Sequence, residues 1–272
     1  MIFFPNSKIN IGLRITGNRD DGYHNIETIF YPVSLSDALE FVIPDQIIDK
    51  DIIKVTGIDT GGEPDDNLVI KALLKLRRKN HFPFLKIHLH KAIPAGAGLG
   101  GGSSDAACLL KVINRHFGLN IDNLNLKAMA LELGSDCPFF IDCVPSLASG
   151  RGEIFTPVKA VLSGYYLVIL NPGVGINTGE AYQNCRPGIP STNLLQLIEL
   201  PVVEWKGQII NDFEDFAIKK YPVIGDIKEE LYNCNALFSL MSGSGSSVYG
   251  IFSDKPKLPD KLRDFVIWEG FM

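Results

Sequence analysis

Between residues 94 and 105 the chain reads Pro-Ala-Gly-Ala-Gly-Leu-Gly-Gly-Gly-Ser-Ser-Asp, with glycine at 96, 98, 100, 101 and 102. Without Cβ atoms such a segment turns through backbone angles closed to other residues, and its successive N–H groups can converge on one anion. What flanks it narrows the choice. Residues 84–90 alternate strictly, with Leu85, Ile87 and Leu89 on one face and Lys86, His88 and His90 on the other, which predicts a half-buried strand. Residues 104–117 place Ala107, Leu110, Ile113, Asn114 and Phe117 on one helical stripe, and Gly118 is positioned to end it. A helix start behind a glycine run adds unpaired N–H groups and a positive dipole end, so a phosphate-bearing ligand is the natural occupant. The simpler alternative is a flexible turn in which Ser103 or Ser104 caps the helix.

The loop is not one of the common phosphate cradles. Gly96, Gly98 and Gly101 satisfy G-x-G-x-x-G, but they do not open a βαβ unit as a dinucleotide fold requires. No lysine follows the glycines as in a Walker A loop, and neither His-Arg-Asp nor Asp-Phe-Gly occurs to suggest a protein kinase. The 272 residues are 46% hydrophobic and 21% charged with a net charge of −5, which gives a sizeable core and excludes disorder. The apolar run at 165–170 falls far short of the ~18 residues a membrane span needs. The opening Met-Ile-Phe-Phe-Pro lacks the basic region of a signal peptide. Cys108, Cys137, Cys143, Cys185 and Cys234 are odd in number and scattered, which suits a reducing cytoplasm. Mild acidity argues against nucleic acid as the main partner.

Further elements follow from periodicity. Residues 67–79 and about 124–133 read as helices, 165–170 as a buried strand, and 193–233 as acidic and apolar helical segments. Residues 237–241 and 248–252 flank a glycine–serine turn, as strand–turn–strand or strand–turn–helix. The texture changes after Gly152, so the expected division is 1–155 and 156–272, two α+β domains facing a cleft.

The stretch from Pro94 to Ala107 strongly resembles the ATP loop of the GHMP kinases. Three further segments fit the same family: Pro-Asn-Ser-Lys-Ile-Asn-Ile-Gly-Leu at 5–13, Asp-Gly-Tyr-His at 21–24, and Gly-Ser-Asp-Cys-Pro-Phe-Phe at 134–140. Met-Ser-Gly-Ser-Gly-Ser-Ser at 241–247 is similar to its C-terminal glycine motif. Together they look like the branch that phosphorylates CDP-methylerythritol in non-mevalonate isoprenoid synthesis. The resemblance implies an N-terminal domain like domain 2 of ribosomal protein S5, a ferredoxin-like C-terminal domain, and an active site between them. Mevalonate- and homoserine-type kinases, and a nucleotide-binding non-enzyme of the same fold, are the alternatives. Oligomeric state stays open between monomer and homodimer.

Residue by residue, the resemblance implies that Lys8 and Asp136 are catalytic. A carboxylate beside an alcohol can take its proton, and an ammonium can steady the developing alkoxide and the transferring phosphoryl. Pro94, Ala95, Gly96, Ala97, Gly98, Leu99, Gly100, Gly101, Gly102, Ser103 and Ser104 would hold ATP, with Gly243 and Ser244 on a second wall and Asn67 near the adenine. Asn67 also reads as a plain helix N-cap. Tyr23 and His24 would bind the cytosine, with Tyr182 a second stacking face. Asn10 shares a strand face with Lys8 by period 2 and could reach the substrate. ATP chemistry implies Mg2+; no acidic cage is visible, so the ion is expected on the phosphates, with Ser104 a candidate contact. His88 and His90 share a strand face, but no further ligand stands nearby and a solvated face is the reading adopted. Cys137 is expected to be packing.

Overall fold

The computed structural model describes residues 1–272 except 62, 64, 65, 186 and 189–191. The chain runs β1 (Ile2–Phe3), β2 (Asn6–Asn18), β3 (His24–Ser36), β4 (Ala38–Val42), β5 (Ile52–Gly57), α1 (Leu68–Arg77), β6 (Lys86–Lys91), α2 (Gly101–His116), α3 (Asn123–Leu131) and α4 (Phe139–Asp142). It continues with β7 (Ser146–Ser149), β8 (Ile154–Pro157), β9 (Tyr166–Leu170), α5 (Thr178–Gln183), α6 (Leu194–Ile198), α7 (Glu214–Lys220), α8 (Val223–Asn233), β10 (Phe238–Met241), β11 (Val248–Phe252), α9 (Asp260–Arg263) and β12 (Val266–Phe271). Two compact units form, neither of them one continuous stretch. The first takes residues 1–8, 32–95 and 100–144; the second takes 9–31, 96–99 and 145–272.

The first unit holds a sheet in the order β1-β4-β6-β5, with β4 antiparallel and β5 parallel to β6. Leu85, Ile87 and Leu89 are buried, as the alternation at 84–90 predicts, and Leu39 and Phe41 of β4 are buried too. Val69, Leu73 and Leu76 of α1 and Leu109, Leu110 and Ile113 of α2 fill the rest of that core, and the two helices pack together. His88 and His90 are exposed on the outer face, where a ring nitrogen of each meets the Thr56 hydroxyl at 2.8 and 3.0 Å. The Asn67 side chain accepts the Val69 N–H and caps α1.

Helix α2 starts three residues earlier than periodicity suggested. Gly100 adopts φ 73°, a left-handed turn that swings the chain into the helix, so Gly101 and Gly102 are already helical. The first intrahelical bond runs from the Ser104 N–H to the Gly100 carbonyl, leaving the amides of 101–103 to other partners.

The second unit holds an antiparallel sheet in the order β10-β11-β9-β12, covered by α8. Strand β9 is buried along its whole length, as its continuous apolar run predicts. The element around the glycine–serine turn is a hairpin, paired from Phe238 with Ile251 to Met241 with Val248. Strands β3, β7 and β8 pair antiparallel in a third sheet with β2 at its edge. The helical stretch 193–233 divides into α6, a short 3-10 turn, α7 and α8 around buried Trp205 and Phe213.

Candidate active site

Within the first unit, β2 carries Lys8 and the turn before α4 carries Asp136. Lys8 Nζ stands 3.5 Å from Asp136 Oδ2; the lysine side chain is 4% exposed and the aspartate 35%. Burial pulls the Lys8 pKa below its usual value, while the charge and hydrogen bond of Asp136 pull it back up. The last loop glycine lies against this pair. A Cβ on Gly100 would come within 2.9 Å of the Phe140 ring and 3.3 Å of Lys8 Cε, so the backbone passes over the lysine stem only because no side chain intervenes. Cys137, next to Asp136, is buried and hydrogen-bonds Ser103 in the first turn of α2; burial pushes its thiol up to about 11. Catalytic candidates from distant chain positions and the start of α2 thus meet in one place.

Under that helix start lies a group the sequence reading missed. Lys91, Asp37 and Asp105 are all buried, with Lys91 Nζ 2.6 Å from Asp105 Oδ2 and also donating to Asp37 Oδ2. Burial pushes the Asp105 carboxyl up to about 7, against the pull of Lys91. One signal was available: Lys91 continues the parity of Leu85, Ile87 and Leu89, which places a lysine on the apolar face.

Within the second unit, loop residues 96–99 meet the turn at 242–247. The Ser242 hydroxyl accepts the Asn10 N–H at 3.1 Å and donates to the Gly98 carbonyl at 2.8 Å, and the Ser247 N–H donates to the Ala97 carbonyl at 3.2 Å. Gly98 has φ 76°, and a Cβ there would collide with the Ser242 carbonyl oxygen. Ala97 and Leu99 are buried and pin the loop, leaving Ala95 and Gly96 exposed. Asn211 Nδ2 donates to the carbonyls of Met241 and Gly243, both at 2.8 Å, and shapes the turn. Ser244 is half-buried and hydrogen-bonds Thr178 at 3.0 Å. Asn10 is buried, and its amide donates to Thr28 Oγ1 at 2.9 Å.

The aromatic candidates lie in the same unit. The turn at Gly22 presents Tyr23, which is 55% exposed, with the Arg151 guanidinium 4.7 Å over its ring. His24 stacks on Tyr182 at 4.7 Å between ring centres, and Tyr182 meets Phe213 edge-on at 4.9 Å. His24 and Tyr182 thus cover one face of each other, and Tyr23 is the exposed ring of the three.

Comparison with known proteins bears on what such a site serves. Residues 67–148 match the GHMP kinases N terminal domain and residues 194–266 the GHMP kinases C terminal domain. The 4-diphosphocytidyl-2-C-methyl-D-erythritol kinase of Bacteroides thetaiotaomicron is 50% identical over 260 residues, covering 96% of this chain and 95% of that one. This chain belongs to the 4-diphosphocytidyl-2-C-methyl-D-erythritol kinase family of GHMP kinases. The enzyme of that name from Parabacteroides distasonis is 49% identical over 273 residues, covering 99% of both chains. A crystal structure of 4-(cytidine 5'-diphospho)-2C-methyl-D-erythritol kinase superposes with a TM-score of 0.79 at 29% identity, covering 99% of this chain and 98% of that one. The mevalonate kinase of Methanococcus jannaschii, at TM-score 0.62 and 14% identity over 97% and 92% of the two chains, shares the fold. As a GHMP kinase, the chain is a phosphotransferase with both family domains in place, and among the described residues no helix is long and apolar enough to cross a membrane.

Proposed function

We propose that this kinase transfers the γ-phosphoryl group of ATP to the 2-hydroxyl of 4-diphosphocytidyl-2-C-methyl-D-erythritol, in the cytoplasm. The observation that carries this reading is the Lys8–Asp136 pair at 3.5 Å, with Gly100 of the phosphate loop against the lysine stem. The names carried by relatives near 50% identity supply the substrate. In the proposed reaction Asp136 takes the hydroxyl proton as the hydroxyl oxygen bonds to the γ-phosphorus, the bond from that phosphorus to the bridging oxygen breaks, and ADP leaves. Lys8 steadies the charge on the acceptor oxygen and the phosphoryl oxygens. Backbone N–H groups between Ala95 and Ser103 hold the phosphates, with Gly243 and Ser244 as further candidates. Tyr23 offers a ring face to the cytosine and His24 a polar ring edge, with Tyr182 stacked behind His24 as its support. Residues 1–155 would then carry the ATP loop and both catalytic side chains, and 156–272 the C-terminal turn and Tyr182.

Glycine at 98 and 100 lets the backbone pass close to Ser242 and Phe140, where a Cβ would collide, and a cradle of such bare N–H groups suits a nucleoside triphosphate. Among the described residues no group of three or more His, Cys, Asp or Glu can hold a metal ion. Mg2+, which neutralises phosphate charge in such transfers, would accordingly be held mainly by phosphate oxygens with Ser104 as a protein contact.

A coupled ADP-release assay over a panel of alcohols tests the reading. Turnover with CDP-methylerythritol and none with mevalonate or homoserine is expected; turnover with mevalonate or homoserine instead would overturn the substrate assignment.

A further inference from the structure

In the first unit the buried ions that the proposed transfer leaves unused are Lys91, Asp37 and Asp105, at 5%, 1% and 1% exposure. Lys91 ends β6, and its ammonium donates both to Asp37 Oδ2 and, at 2.6 Å, to Asp105 Oδ2. The other oxygen of Asp37 accepts the N–H groups of Ala92 at 2.6 Å and Ile93 at 2.8 Å, the two residues leading from β6 into the glycine loop. Asp105 stands one turn inside α2, where the chain leaves that loop. A Cβ on Gly101 would lie 3.3 Å from Lys91 Nζ and 2.8 Å from the Ile93 side chain, so the first residue of α2 rests on the ammonium. One cation therefore ties together both ends of the segment 94–100.

Stability is a poor reason for such a cluster. Burying charges carries a desolvation cost that apolar residues of similar size avoid, and Asp105 Oδ1 is buried without a hydrogen-bond partner. What charged hydrogen bonds supply and apolar packing does not is fixed geometry. The ammonium also offsets two carboxylates beneath a helix start whose amides would attract an anion.

We propose that Lys91, Asp37 and Asp105 are positioning residues for the nucleotide, holding the two ends of the glycine loop so that its amides are arrayed before the phosphates arrive. They set nucleotide affinity, and the transfer step belongs to Lys8 and Asp136. The inference rests on the reading of this loop as an ATP site and deepens it.

The test uses the full chain with Asp105→Asn, Lys91→Met and Lys91→Arg. It measures kcat, KM for ATP and for CDP-methylerythritol, binding of ADP by titration calorimetry, and hydrogen exchange at the amides of 95–104. Asp105→Asn, which keeps an oxygen for Lys91, should raise the ATP KM and the ADP Kd by about three- to tenfold with kcat within about twofold. Lys91→Met should raise both by about 10²-fold with faster loop exchange, and Lys91→Arg should recover part of the loss. If Lys91→Met does not fold, Asp105→Asn decides alone. A lowered Tm with unchanged ATP KM and ADP Kd would make the cluster merely structural and overturn the inference, as would a fall in kcat at unchanged KM. Wild-type protein that binds ADP but does not phosphorylate CDP-methylerythritol would sink the substrate assignment and leave this inference to the ADP titrations. Wild-type protein that binds no ADP would sink both.

Discussion

Lys8 and Lys91 are both buried in the first compact unit and both face aspartate, yet their surroundings differ in kind. Lys8 stands 3.5 Å from one carboxylate whose side chain is 35% exposed. Lys91 is hydrogen-bonded to two carboxylates that are themselves buried. A carboxylate that is one-third exposed beside a buried ammonium leaves room for a hydroxyl to approach it. A cluster whose three members are all buried has no such room and can only hold its neighbours in place. Burial pulls the Lys8 pKa down, so the fold disfavours its charged form. The sign follows: Lys8 adds stability only above the ordinary lysine range, and that contribution is gone as pH falls through the depressed folded value. Holding an ammonium at this buried position is a cost to the fold, as is common where function requires a buried ion.

The contrast can be broken most sharply at Asp136. Asp136→Asn should lower kcat by about 10³- to 10⁴-fold while ATP binding, measured by titration, stays within about threefold. A comparable loss of ATP affinity would move Asp136 from the acceptor to the nucleotide. Next is Lys8→Met, for which kcat should fall by about 10²- to 10³-fold. Its Tm by calorimetry should match or exceed that of the wild type, whereas Lys91→Met should lower it; equal losses in the two variants would erase the distinction. A smaller effect is expected of Tyr23→Ala, which should raise the CDP-methylerythritol KM about tenfold and leave the ATP KM alone. A change in the ATP KM instead would remove Tyr23 from the acceptor side. The least effect should come from a thiol reagent. The Cys137 thiol is buried and pushed up to about 11, so iodoacetamide should leave activity intact near pH 7, and inactivation there that maps to Cys137 would contradict its packing role. Peptide mapping would show whether Cys137 is the residue modified.

Much of this was legible in the chain before folding. The alternation at 84–90 marked β6, and the glycine run announced a helix start, because both signals are local. The start of α2 was placed late, since the left-handed Gly100 that draws Gly101 and Gly102 into the helix is a backbone event no side-chain pattern records. Two strand-or-helix readings at 248–252 resolved to a hairpin, decided by pairing with β9 and β10 from elsewhere in the chain. Lys8 and Asp136 were nominated by resemblance; their 3.5 Å approach joins residues far apart in sequence, which spacing alone does not give. Asn67 and Asn10 carried ligand roles in that reading, and their side chains here cap α1 and hydrogen-bond Thr28. Lys91 was the missed clue: on the apolar parity of β6, a lysine needs buried partners, and Asp37 and Asp105 are those partners.

The most direct test of the central claim is where the phosphoryl group goes. The 2-hydroxyl of CDP-methylerythritol sits on a carbon bearing no hydrogen, so a phosphomonoester formed there has no carbinol proton to couple with. Phosphorus NMR of the wild-type reaction with ATP should show, beside ADP, a new phosphomonoester singlet growing as ATP is consumed. A resonance split by one carbinol proton or by a methylene pair, or ADP formed with no new ester, would contradict the account.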